Sequence, residues 1–122
     1  MTRSFAELYV AEAYPAMSHP AADPAVNVAV ARAVGLDVAD PAGARILEIG
    51  CGTGHHILSL ANRWPRSVCT GVDISARSIS VAQNLARQAG LGNVRFCKCS
   101  ILEFEPEGEF DVIIAHGVFS WV

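Results

Sequence analysis

Apolar and polar positions change period several times along the chain, and each change marks an element. Ile46-Leu47-Glu48-Ile49 is a short, nearly continuous apolar run that meets three glycines set two apart, Gly50, Gly52 and Gly54. It reads as a buried strand feeding a tight turn. From His55 to Trp64 the residues Ile57, Leu60, Ala61 and Trp64 recur at helical spacing, and Pro65 stops that helix. Val68 to Val72 is a second strand ending on Asp73. Ser75 suits an N-cap for a helix whose stripe is Ile79, Ala82, Leu85, Ala86 and Ala89, with Gly90 as its stop. Strands follow at Val94 to Cys99 and Phe110 to Ala115, the latter apolar enough to be buried on both faces.

Strand, helix, strand, helix, strand, strand predicts an α/β fold with a parallel sheet and helices on both faces. Ligands of such sheets lie outside the carboxyl ends of the strands. The preceding forty or so residues read differently. Ser4 to Ala13 suits a short helix, Tyr14 to Pro24 is irregular, and Ala25 to Val34 is helical with Val26, Ala29, Val30, Ala33 and Val34 as its apolar face. The chain therefore divides into a helical extension, residues 1–43, and a domain, residues 44–122. The extension suits a lid, a substrate wall or simple packing equally well.

The glycines carry the chemistry. Glycine accepts φ > 0 and lets the backbone approach a bound molecule closely. A helix beginning near Thr53 would present free N–H groups and a positive dipole end to an anion. The dinucleotide fingerprint G-x-G-x-x-G requires a third glycine where this chain has His55, so a nicotinamide-dependent oxidoreductase is disfavoured. Asp73 lies 73 − 54 = 19 residues beyond the last glycine. A carboxylate there accepts ribose hydroxyls and supports adenosine binding in either cofactor class.

Glu48-x-Gly50-x-Gly52-x-Gly54 resembles the first motif of class I S-adenosylmethionine-dependent methyltransferases. The resemblance covers residues 44–122. It implies a Rossmann-like sheet that binds S-adenosyl-L-methionine through Glu48, Gly50, Cys51, Gly52 and Gly54, with Asp73 on the ribose and Ile74 on the adenine face. Ser100, after the third strand, would accept the adenine amino group, and Ile101 and Ala115 complete the cofactor-binding set. Family members commonly carry an acid where Ser100 stands, so a weaker acceptor and weaker cofactor affinity are expected. The segment Phe110 to Val122 is similar to the fourth motif of a bacterial methyltransferase group that often carries a regulatory domain after the catalytic one, and Tyr14-Pro15 and His19-Pro20 are loosely similar to its N-terminal region. That narrower likeness implies a protein amine as methyl acceptor. The fourth segment lacks an Asn-Pro-Pro-Tyr signature, which disfavours amide-nitrogen and adenine-amine acceptors. His116 is the candidate catalytic group, with Tyr14 second.

The resembled fold has seven strands and four are assignable here, in expected order three, two, one, four. The chain thus reads as an N-terminal portion of a catalytic domain, with strand four an exposed edge open to self-association and Phe119, Trp121 and Val122 short of partners. A binding module without chemistry is the alternative.

Composition narrows the partners. With 122 residues and net charge −3, one core is expected and an extended nucleic-acid footprint is not. No run approaches a membrane span of ~20 residues, nor does the start resemble a signal peptide, so a cytoplasmic protein is expected. Cys51, Cys69, Cys97 and Cys99 lack paired C-x-x-C spacing and suit buried, reduced thiols rather than zinc. His55 and His56 are adjacent on a helix and diverge by about 100°, so no metal site is expected there.

Overall fold

The computed structural model describes Glu7 and residues 17–118. The expected helix at Ser4–Ala13, Tyr14, and Phe119, Trp121 and Val122 lie outside the described residues, apart from Glu7. A 3₁₀ turn at Pro20–Ala22 leads to α1 (Pro24–Ala33), and a second at Pro41–Gly43 leads to β1 (Arg45–Ile49). Then come α2 (His55–Arg63), β2 (Val68–Asp73), α3 (Ala76–Gln88), β3 (Val94–Lys98) and β4 (Val112–Ile114). The four strands form one sheet in the order β3-β2-β1-β4, with β1 parallel to β2 and β4, and β2 parallel to β3. This is the Rossmann-like arrangement that the alternating strands and helices predict.

Burial explains the register. Ile46 on β1 and Cys69 on β2 are fully buried, as are Ile57 and Leu60 of α2. Ala61, Ile79 and Ala82 complete that layer, so the predicted stripes of α2 and α3 are the faces that pack on the sheet. Ser75 caps α3, its hydroxyl accepting the Ser78 N–H at 3.2 Å. Asn93 ties the α2–β2 turn to β3 by donating to the carbonyls of Ala61, Trp64 and Ser67.

Helix α2 starts at His55, as its stripe predicts, behind a left-handed N-cap at Gly54 with φ 81°. Several expectations are corrected. Ala89 is exposed, since α3 ends at Gln88 and Ala89 has become its C-cap. Strand β3 ends at Lys98, and β4 covers only Val112–Ile114 rather than Phe110 to Ala115. Nor is β4 buried on both faces: Ile114 is 6% exposed and Ile113 60%. In α1, Val26, Val30 and Val34 face solvent while Pro24 and Val28 are buried. Alanines and valines lie on several sides of this helix, so its period could not select a face, and contact with the rest of the chain did.

The extension is fastened to the domain by polar contacts. Asp23 caps α1 through the Ala25 N–H at 2.9 Å and pairs with Arg63 of α2 at 2.9 Å. The guanidinium and the capping N–H hold the Asp23 carboxyl below its ordinary range against the opposing cost of burial.

Candidate functional site

The glycine loop closes at the carboxyl end of β1. Gly50, Gly52 and Gly54 all take positive φ, at 69°, 55° and 81°. L side chains rarely enter that region, so the sequence meets a backbone demand at each of the three positions. The N–H groups of Gly50 and Cys51 both donate to the Val72 carbonyl, at 2.8 and 3.0 Å, pinning the loop to the end of β2. Gly54 N–H donates to the Cys51 carbonyl at 2.9 Å.

Two of these glycines are also spatially required. A Cβ on Gly54 would stand 2.9 Å from Ala82 Cβ and 3.0 Å from Phe96 Cε1, so α2 meets α3 and β3 only without a side chain there. A Cβ on Gly50 would stand 2.6 Å from Val118 Cγ2. The segment after β4, which carries Ala115 and His116, therefore lies directly against the glycine loop.

Asp73 ends β2 beside that loop and is 3% exposed. Its Oδ2 accepts the Gly52 N–H and its Oδ1 the Ser75 N–H, each at 2.8 Å.

Glu48 lies on β1 just ahead of the loop. It points from β1 into the core, 4% exposed, and its Oε2 accepts the Ile57 N–H at 3.1 Å. This carboxyl satisfies the third N–H of α2, a terminus whose Gly54 cap has no side chain. Burial, with the Asp73 charge nearby, pushes the Glu48 carboxyl up to about 8 against the opposing backbone bond. Cys51 is buried next to both acids, and burial together with their charges pushes its thiol up. Cys69 is raised chiefly by burial as well. Both are inert apolar thiols in this setting.

The other predicted positions gather at the same sheet end. Ile74 is half-buried after β2. Ser100 and Ile101 are half-buried after β3, and the Ser100 hydroxyl accepts the Leu102 N–H at 3.2 Å. Ala115 is half-buried and His116 exposed after β4. Sequence reasoning thus placed these positions on one edge, as parallel strands must.

Sequence reasoning missed a histidine cluster. His19 stacks on His116 with ring centroids 3.9 Å apart and planes 25° from parallel. His56 is buried, and its Nδ1 lies 3.2 Å from both the Ser18 Oγ and the donating His19 N–H. Its Nε2 lies 3.4 Å from the Ala22 carbonyl. Burial lowers both His19 and His56, with His116 contributing at His19 and also at His56. Nothing in the local sequence announces this, because the three residues are 37 and 60 positions apart. His55 instead contacts Thr53 at 2.9 Å on the surface. Among the described residues no cluster of three or more His, Cys, Asp or Glu is set to hold a metal ion. No described helix is long and apolar enough to cross a membrane.

The four cysteines are all free, but only Cys51 and Cys69 are buried; Cys97 and Cys99 are half-buried at the edge strand β3, contrary to the expectation of four core thiols.

This architecture has relatives. Residues 40–122 match the family described as a methyltransferase domain. An uncharacterized protein of Rickettsia prowazekii is 36% identical over 110 residues, covering 89% of this chain and 44% of that protein. A malonyl-[acyl-carrier protein] O-methyltransferase of Paenibacillus is 32% identical over 81 residues, covering 64% of this chain and 29% of that enzyme. The structure of PKMT2 from Rickettsia typhi in complex with AdoHcy superposes with a TM-score of 0.84 at 34% identity, covering 89% of this chain and 22% of that one. The chain thus spans less than half the length of these relatives. With the glycine loop, the acid after β2 and the strand order all in place, the chain belongs to the methyltransferase-domain family.

Proposed function

We propose that residues 44–122 form the S-adenosyl-L-methionine-binding part of a methyltransferase, with residues 1–43 as an N-terminal helical extension. The observation that carries this reading is the junction of the glycine loop with Asp73: three left-handed glycines held against a buried acid at the carboxyl end of β2. The residues fit the cofactor. Gly50, Gly52 and Gly54, with the Cys51 backbone, form a bare-backbone cradle for its amino-acid portion. Asp73 suits the ribose hydroxyls, Ile74 and Ile101 flank the adenine, Ser100 serves its edge, and Ala115 borders the sulfonium end. The relatives support it, among them the PKMT2 of Rickettsia typhi in complex with AdoHcy.

Glu48 enters this reading in a revised role. It holds the loop by capping α2, and its contribution to the cofactor is the position of Gly50 to Gly54 rather than a direct bond. Bound S-adenosylmethionine supplies an activated methyl group on a sulfonium, and displacement by a nucleophile requires mainly alignment. His116 is the candidate to receive a proton from an acceptor that arrives protonated, and its ring is stacked on that of His19. The acceptor is a protein or small-molecule nucleophile. The likeness of Phe110 to Val122 to enzymes with a following regulatory domain favours a protein amine. Strand β4, with Ile113 exposed at the sheet edge, is the surface for self-association or for further strands of the same domain.

Calorimetry with S-adenosylmethionine and S-adenosylhomocysteine, using NAD as control and Asp73→Ala as the site test, decides the matter. Binding of both sulfur ligands but not NAD, lost on substitution, is expected. A folded chain that binds neither would overturn the proposal for this chain.

A further inference from the structure

Cys97 and Cys99 stand two residues apart at the end of β3, with their Sγ atoms 3.3 Å from one another. Strand alternation puts them on one face, and it is the opposite face from Phe96, whose ring packs toward Gly54 and Gly71 under α3. Neither thiol is in the core, and β3 is an edge of the sheet. We propose that this pair is a dithiol site that closes into an intramolecular disulfide by exchange with a low-molecular-weight disulfide, and so reshapes the wall formed by Ser100 and Ile101. The second half rests on the cofactor reading above.

Geometry allows the bond and makes it costly. Two residues of strand span about 6.6 Å between Cα atoms. Disulfides accept Cα separations of roughly 4.4–6.8 Å, so the pair begins near the upper limit. The sulfurs must close from 3.3 Å to a bond of about 2.05 Å. Closure therefore shortens the chain between Cys97 and Cys99. A bond formed under such strain is the readily reducible, regulatory kind.

What this moves is specific. Cys97 is registered with Val72 and Lys98 with Asp73, and the Cys99 N–H donates to the Asp73 carbonyl at 3.0 Å. Ser100 follows directly, its hydroxyl and carbonyl accepting the N–H groups of Leu102 and Glu103. Contraction at Cys99 acts on this turn and on the backbone of Asp73 together, which are the two sides of the proposed adenosine site.

The chemistry balances. One cysteine, as thiolate, attacks the external disulfide and releases one thiol. The second attacks the resulting mixed disulfide and releases the other. Two cysteine S–H bonds and one external S–S bond are exchanged for the Cys97–Cys99 bond and two external thiols, which take up both protons. Partial burial and the adjacent Cys97 thiol push the Cys99 thiol up, with Glu103 adding to the rise and Lys98 opposing it, so closure accelerates as pH rises.

Oxidised and reduced glutathione in varied ratio, followed by alkylation and peptide mass analysis, test the site on the full chain. A linked peptide lighter by two hydrogens is expected, with Cys51 and Cys69 remaining alkylatable after denaturation. Cys97→Ser and Cys99→Ser each abolish it. S-adenosylhomocysteine affinity should fall about fivefold or more on oxidation, in the range of ordinary site coupling, and be indifferent to oxidant in either variant. Cys97 and Cys99 both staying free, or ending only as mixed glutathione disulfides, overturns the site. Amide hydrogen exchange over residues 97–103 supplies a readout independent of the cofactor. If the reduced chain binds no S-adenosylhomocysteine, the cofactor reading fails by itself; a linked pair with unchanged exchange then overturns the reshaping.

Discussion

Asp73 accepts the backbone N–H of Gly52 at 2.8 Å, so the carboxylate proposed to serve the ribose also fixes the loop around the amino-acid end of the cofactor. Its other oxygen takes the Ser75 N–H at the start of α3. Asp73→Asn puts an amide NH₂ against one of these two donors. The variant should lose about 1–3 kcal/mol of stability in the absence of any ligand, read by chemical denaturation. An unaltered midpoint would mean that the loop holds itself.

Gly54→Ala and Gly90→Ala separate space from backbone conformation. Both glycines have positive φ, at 81° and 66°. A Cβ at Gly90 meets nothing within 4 Å, whereas at Gly54 it meets Ala82 and Phe96. Gly90→Ala should cost only the left-handed penalty of about 1–2 kcal/mol. Gly54→Ala should add about 1–3 kcal/mol of overpacking and weaken cofactor binding. Equal losses in thermal denaturation would refute the close approach of α2 to α3 and β3.

Glu48 makes stability depend on pH. Burial raises its folded pKa from 4.5 to about 8, so the folded chain holds this proton more tightly than the unfolded one. Its contribution is full below 4.5 and erodes as pH rises toward 8, with a slope of up to about 1.4 kcal/mol per pH unit. Glu48→Gln keeps an acceptor for Ile57 and does not ionise. The variant should flatten that slope, and an unchanged pH profile of unfolding would show that Glu48 titrates normally.

The histidine cluster has the opposite sign. Burial lowers His19 and His56 below their ordinary 6.5, so the stability they give is present above that value and lost as pH falls through the folded pKa. Asp23 partly offsets this at His56. Hydrogen-exchange protection of residues 18–22 should therefore drop below pH 6.5 while the sheet stays protected. His116→Ala should weaken the same protection and leave cofactor affinity intact, which nuclear magnetic resonance and calorimetry would check.

Ser100→Asp replaces a neutral acceptor with a charged one. Hydrogen bonds to charged groups are worth about 1 kcal/mol more, so S-adenosylhomocysteine should bind about fivefold tighter. Weaker or equal binding would remove Ser100 from the adenine edge.

The sequence by itself determined the strand and helix order, the loop glycines and the acid after β2, because each depends on a local signal: a period of two or 3.6, a need for positive φ, or a fixed spacing. The sheet order came with the methyltransferase resemblance, because connection rules fix the hand of a crossover but not which side of β1 takes β4. Tertiary structure decided the rest. Glu48 accepts the Ile57 N–H of α2 from nine residues back in the chain, a bond that packing and not a local signal brings about. Val28 rather than Val26 and Val30 turned inward, because alanines and valines lie on several sides of this helix and packing selected among them. The stack of His19 on His116 and the contact between the Cys97 and Cys99 sulfurs are likewise products of placement. Side-chain distances across the fold have no period in the chain, so only the folded molecule could set them.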